Sequence, residues 1–387
     1  MVHDRSLAPC PVTDWSNERR KACLRSTRLG HRWRRFGRVR RGLAWLALLT
    51  VPVSILGGQY WIHDVAPERD RLAHTRPHLH PIFDAADPAD RATAVVSMVG
   101  LGNLDATDTA RALPALAALG QVWAVQYDNT GLDTAVISRM IVDHAEQAGV
   151  ERVVLTGHSM GGIIALEVAG HVVADPDLDL LAVILDCTPV DLHAVRADKR
   201  DTGEDLLRWV GWVPGARESR TLRLVVETAA RKDRYVVPHP HGLPTVDPGG
   251  LVDAVTEVLE DKIFDRDVAS TGLIESQFEA IVASGALDDL RALASRRGDS
   301  RGPAVVFVRP GRGTDDDVVD VDYSQRVLFE RVGGSRGSLL VVRLAGTGHA
   351  NPIQQPQAYD AAVATKIVPF VDRLAERDTR PVRASER

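Results

Sequence analysis

Cysteine is nearly absent: the 387-residue chain has three, Cys10, Cys23 and Cys187. Two lie in the first 41 residues and Cys187 stands alone in the body, so no disulfide framework can form inside the body, and no Cys-x-x-Cys spacing marks a zinc site. The body is therefore expected to fold with a reduced thiol in any compartment. No Gly-rich phosphate loop, dinucleotide fingerprint or metal-ligand spacing occurs, so no cofactor and no metal site is expected. There is no internal repeat. A hydrophobic fraction of 44% with 26% charged residues excludes a chain disordered throughout.

Charge is unevenly placed. Residues 1–41 hold twelve Lys and Arg against three Asp and Glu, which leaves 35 against 49 in the remainder. A basic head on an acidic body suits either a nucleic-acid arm or a membrane-facing segment. The following stretch, GLAWLALLTVPVSILGGQYWI at 42–62, decides for the membrane: it carries no charge, and at 1.5 Å per residue it spans about 30 Å of hydrocarbon. Tyr60 and Trp61 stand at its far end, where amphipathic aromatics prefer the interface. The basic residues before it favour a cytoplasmic N-terminus and an extracytoplasmic body. A permanent signal anchor is the preferred reading. No small-residue cleavage site follows, which argues against a cleaved signal peptide; cleavage would give a secreted protein. Nucleic-acid binding is not expected, because the head lacks aromatic interleaving beyond Trp15, Trp33 and Phe36.

The expected order is a basic cytoplasmic head (1–41), a transmembrane anchor (42–62), a linker (63–90), a catalytic domain (91–376) and a flexible tail (377–387). The linker has four prolines and no helical apolar period. Its His74, His78 and His80 are read as solvated, with metal ligation as the alternative. From residue 93, apolar strands alternate with helices: strands at 93–100, 121–128, 151–159, 180–187, 303–311 and 338–346, helices at 110–120, 134–149, 161–174, about 322–333 and 357–376. Near-continuous apolar strands separated by helices imply a mostly parallel, doubly wound sheet covered on both faces. Residues 188–300 show helical periods at 251–263, 273–284 and 287–296 and no clear strand, and read as a helical cap inserted over the sheet.

Three loops carry the chemistry. Gly157-His158-Ser159-Met160-Gly161-Gly162 lies between a strand and a helix, where the nucleophile-elbow pattern G-x-S-x-G is meaningful. Side chains at Gly157 or Gly161 would collide with the neighbouring strand and helix, and the turn presents Ser159 at the carboxyl edge of the sheet. A serine hydroxyl needs a base within hydrogen-bond reach and a carboxylate to orient that base. His349, in the turn GTGHANP after the last strand, is the best base; His171 lies in a helix, and His193, His239 and His241 lie in the insertion. The acid is sought in Asp315-Asp316-Asp317. Asp316 is preferred because it stands two residues before Val318-Val319, which open the next packed segment; Asp315, Asp317 and Asp186 remain alternatives. The backbone N–H groups of Met160 and Leu101 are the expected oxyanion donors.

These residues resemble the α/β-hydrolase fold family. The likeness covers roughly 92–187 and 302–375 and rests on GHSMGG, VGLGN after the first strand, the Asp315–Asp317 loop and GTGHANP. It differs in having Val99-Gly100 where many members have His-Gly, and in its crowded acid loop. The resemblance implies an eight-stranded, mostly parallel sheet with a helical cap, and the esterase, lipase and related hydrolase activities of such proteins. Hydrolysis of an ester or related acyl bond in a small-molecule substrate, through an acyl-serine intermediate, is the expected function. A catalytically silent scaffold at the membrane, an acyltransferase and a peptidase are the alternatives. In the insertion, Trp209 and Trp212 are read as core packing rather than as acyl-chain contacts. The charge of the insertion argues against a large apolar mouth.

Overall fold

The computed structural model describes residues 16–28, 31, 37–175, 177–239, 243–265, 267–295, 302–333, 338–349 and 352–379. Two units divide the chain at His63. In the first, Asn17–Ser26 is a helix capped by the Ser16 hydroxyl, and Arg38–Tyr60 is a second helix with no buried residue. This apolar helix is long enough to cross a membrane, by length and composition. Cys10 lies outside the described residues.

The second unit is organised by β-branched runs. Strands β1 (His78–Phe83), β2 (Thr93–Met98), β3 (Gln121–Gln126), β4 (Arg152–His158), β5 (Asp179–Asp186), β8 (Ala304–Pro310) and β9 (Leu339–Leu344) form one sheet in the order β1-β3-β2-β4-β5-β8-β9. All neighbours are parallel except β1, which runs antiparallel to β3. Every residue of β2 and β8 is buried, as expected of strands covered on both faces. One layer of helices is Thr134–Ala148, Met160–Val172, Ala286–Ser295 and Val321–Val332, packed in that order. The opposite layer contains Thr107–Arg111 and the C-terminal run from Pro356 to Thr379.

Five expectations are corrected. The 63–90 segment is not a bare linker: Ala66–Leu72 is helical, and β1 adds an edge strand to the sheet. Pro81 weakens the strand pattern, and an edge position tolerates its missing N–H, with a register irregularity beside it. The sheet has seven strands rather than eight among the described residues, because helix rather than a further strand precedes β1. The 188–300 insertion does contain strand, a two-residue ribbon of β6 (Val236–Val237) and β7 (Thr245–Val246). Its last helices, Thr271–Val282 and Ala286–Ser295, pack directly on Met160–Val172, so they belong to the body of the fold. Finally, the closing helix extends through Thr379 into the segment read as tail.

The contact between Ala286–Ser295 and Met160–Val172 buries charge. Asp289 is pushed up to about 6, first by burial and then by Glu167, with His171 pulling the other way and Asp288 adding to the rise. The folded state thus holds this proton more tightly than an unfolded aspartate near 3.9, and stability is lost as pH rises from about 4 to 6. Asp289→Asn is expected to raise stability at pH 7 by about 1 kcal/mol after solvent screening, with no gain at pH 4, as read by denaturant unfolding at both values.

Candidate active site

The turn after β4 is forced by contact distances. A Cβ at Gly157 would meet the Gly161 carbonyl oxygen at 2.2 Å, one at Gly161 would meet the Val99 oxygen at 2.5 Å, and one at Gly162 would meet Thr188 Oγ1 at 1.9 Å. Two of these neighbours are backbone and cannot swing away. Close packing of strand, turn and helix leaves Ser159 at φ 53° and ψ −124°, a region that non-glycine residues rarely occupy. Its N–H donates to the Asp186 carbonyl at 2.7 Å, which ties the strained turn to the end of β5. Ser159 is also the N-cap of Met160–Val172, so the helix dipole points its positive end at the hydroxyl.

Two loops converge on that hydroxyl. His349, after β9, places Nε2 3.1 Å from Ser159 Oγ and Nδ1 2.9 Å from Asp316 Oδ2. Asp316, after β8, is fully buried, and its Oδ1 accepts the N–H groups of Val318 at 2.9 Å and Val319 at 2.7 Å. Burial alone would push this carboxyl up. The hydrogen bond and charge of His349, with the two backbone donors, outweigh burial and hold it below the usual range. The carboxylate therefore contributes stability above the unfolded value near 3.9, and that contribution is lost as pH falls through the lower folded value.

The other aspartates have different partners. Asp315 pairs with Arg312 at 2.9 Å, Asp317 is exposed, and Asp186 Oδ2 lies 2.7 Å from His158 Nδ1. His158 is thereby held beside His349, with ring centroids 5.2 Å apart. The remaining histidines are elsewhere. His74 bonds the Asp70 carbonyl, His80 bonds Gln126, and His239 bonds Thr245. His241 lies outside the described residues. Cys187, Asp316 and His349 are close enough together to suggest a metal site, but Asp316 and both His349 nitrogens already have partners. Burial, with Asp186 and Asp316, also raises the Cys187 thiol, which disfavours the thiolate a metal needs.

The N–H groups of Met160 and Leu101 donate to no group among the described residues. The Leu101 loop is braced from two sides. Tyr127 donates its hydroxyl to the Val99 carbonyl at 2.9 Å. The fully buried Gln277 accepts from Gly102 N–H and donates to the Asn103 carbonyl, both at 2.9 Å. The acid loop is braced by Arg196, which donates to the carbonyls of Asp316 and Gly313 at 2.7 Å each. Gln277 and Arg196 were not found from the sequence; both come from the insertion, and nothing in their local pattern signals a partner over a hundred residues away. Ser159 and His349 open into a cavity of about 290 Å³, lined also by Leu101, Pro189, Val195, Lys199, Phe278 and Ile281.

The family model described as "Alpha/beta hydrolase family" matches residues 100–362. The chain belongs to the alpha/beta hydrolase family. Among solved structures, a monoacylglycerol lipase from Paleococcus ferrophilus is 16% identical, with a TM-score of 0.44 over 77% of this chain and 99% of the other. An esterase from Exiguobacterium antarcticum is 16% identical, with a TM-score of 0.46 over 77% and 96%. A proline iminopeptidase from Mycobacterium smegmatis is 14% identical, with a TM-score of 0.41 over 78% and 95%. No curated protein matches the sequence.

The packing at the elbow leaves no room for a methyl group. Gly161→Ala is expected to cost about 3 kcal/mol, because the displaced atoms are backbone, and to lower the thermal midpoint accordingly. An unchanged midpoint would refute the close-packed turn.

Proposed function

We propose that this chain is a membrane-tethered serine hydrolase that cleaves an ester or related acyl bond. The observation that carries the reading is the continuous line from Asp316 through His349 to Ser159 Oγ, at 2.9 and 3.1 Å. Ser159 Oγ attacks the acyl carbon while His349 Nε2 takes its proton. Asp316 holds the ring in the tautomer that presents a bare Nε2, and stabilises the imidazolium that forms. The carbonyl oxygen becomes an oxyanion against the N–H groups of Met160 and Leu101. Collapse expels the leaving group, which takes the proton from His349. Water activated by the same nitrogen then releases the acid and restores Ser159.

Full-length wild type is expected to label with a fluorophosphonate probe and Ser159→Ala to remain unlabelled, with a loss of about a millionfold in kcat. Labelling of the alanine variant would move the nucleophile elsewhere. Asp316→Asn is expected to lose about 10,000-fold in kcat/KM by favouring the wrong His349 tautomer, while Asp315→Asn, whose carboxylate pairs with surface Arg312, loses far less. The reverse order would reassign the acid.

The tether reading rests on the uncharged 42–62 segment and the basic head before it. Positive-inside bias then puts the hydrolase on the extracytoplasmic side. The full-length chain is expected to stay in the membrane pellet after an alkaline carbonate wash; its release would refute the anchor.

A further inference from the structure

The insertion holds a second cavity that the reaction above does not use. Its volume is about 220 Å³, and Val210, Val213, Leu222, Val226 and Ile274 make its lining almost wholly apolar. The neighbouring side chains Trp212 and Val225 are 83% and 59% exposed. The core-packing reading of the tryptophan pair thus fails for Trp212, and the apolar character of this part of the insertion exceeds what its overall charge suggested.

Two observations say what such a cavity would take. The first is a shared wall. Thr271 and Ile274 line this cavity, and Phe278 and Ile281 line the cavity at Ser159. All four belong to the helix Thr271–Val282. Their spacing of three, four and three residues keeps them within a stripe of about 80° at 100° per residue. Ile274 and Phe278 are one turn apart, about 6 Å along the axis. One apolar helix face thus runs from the nucleophile cavity into the insertion.

The second is chain connectivity. Asp64 accepts from the Ser219 hydroxyl at 2.5 Å and from Arg220 N–H at 3.1 Å, at the start of the helix Arg220–Ala230 that supplies Leu222 and Val226. The fully buried Val65 packs on Gly215, and Arg69 pairs with Glu218 at 2.9 Å. Asp64 follows the last residue of the uncharged segment, Ile62, by two positions, at most about 7 Å of extended chain. The first residues of the chain after the uncharged segment are thus bonded to the start of this helix.

We infer that this cavity is the subsite for a long acyl chain, and that the hydrolase acts on acyl esters of lipids drawn from the bilayer that holds its tether. The inference rests on the serine hydrolase and tether readings. The acyl carbon sits at Ser159, and the chain follows the Phe278–Ile274 face into the pocket between Val210, Val213, Leu222 and Val226. An apolar chain leaving hydrocarbon needs an apolar path, because crossing water would cost about 0.8 kcal/mol per exposed methylene.

The test compares kcat/KM for p-nitrophenyl palmitate and p-nitrophenyl butyrate, using full-length protein in phosphatidylcholine vesicles. Val226→Trp fills the pocket and is expected to lower the palmitate-to-butyrate ratio about tenfold; Val213→Phe, a smaller filler, is expected to move it the same way. Val252→Trp, at an exposed position on Pro248–Val258 outside the pocket lining, keeps the ratio of wild type. An unchanged ratio in both filled variants overturns the subsite. Palmitate ester placed in the same vesicles as the protein is expected to be cleaved faster than ester held in separate vesicles; equal rates overturn supply from the bilayer. Binding of a fluorescent long-chain polyene fatty acid to Ser159→Ala reads the pocket without turnover. Loss of that binding on adding Val226→Trp supports the subsite even if no ester is cleaved, whereas unchanged binding overturns it.

Discussion

Everything at the site depends on how closely the turn after β4 packs between the Val99 carbonyl and the helix that follows. With backbone oxygens 2.2 and 2.5 Å from where a Cβ would stand, Gly157 and Gly161 admit no other residue without movement. The resulting compression holds Ser159 at positive φ and is secured by its N–H bond to Asp186. The same turn places the Met160 N–H at the helix start. Strain in a few backbone angles thus sets the Ser159 hydroxyl in the lining of the cavity with the helix dipole behind it.

The helix Thr271–Val282 is the second organiser. Gln277 pins the Leu101 loop through two backbone bonds. Ser276 accepts from Leu132 N–H at 2.9 Å, and Ser270, the N-cap of the helix, donates its N–H to the Asn129 side-chain oxygen and its hydroxyl to the Asn129 carbonyl, both at 2.6 Å. Those contacts fasten this helix to the loop after β3. The same helix thus braces the Leu101 loop and lines both cavities. Arg196, from the other end of the insertion, does the corresponding work for the acid loop.

Legibility from sequence followed the range of the interactions. The strands β2, β4, β5 and β8 were readable because burial on both faces demands unbroken apolar runs. The helix Thr134–Ala148 was readable because Gly149, at φ 66°, ends it where the apolar period stops. β1 was not, since an edge strand with a proline and histidines resembles a linker until β3 lies beside it. The limits of the insertion were also missed: amphipathic helices over 271–295 have the same pattern whether they cover a site or flank a sheet. Ser159 and His349 stood out through their glycine-rich turns, while Asp316 stood among three adjacent acids that local pattern separates poorly.

The sequence by itself determined the parallel sheet, the elbow at Ser159, the turn at His349 and the uncharged segment at 42–62, because each is specified by residues within a few positions of one another. Tertiary structure alone decided which aspartate meets His349, which residues brace the loops and where the apolar cavities open. Those outcomes depend on contacts between distant segments: 33 positions separate Asp316 from His349, and more than a hundred separate Gln277 from Asn103 and Arg196 from Asp316. Their geometry exists only once the core has closed around them.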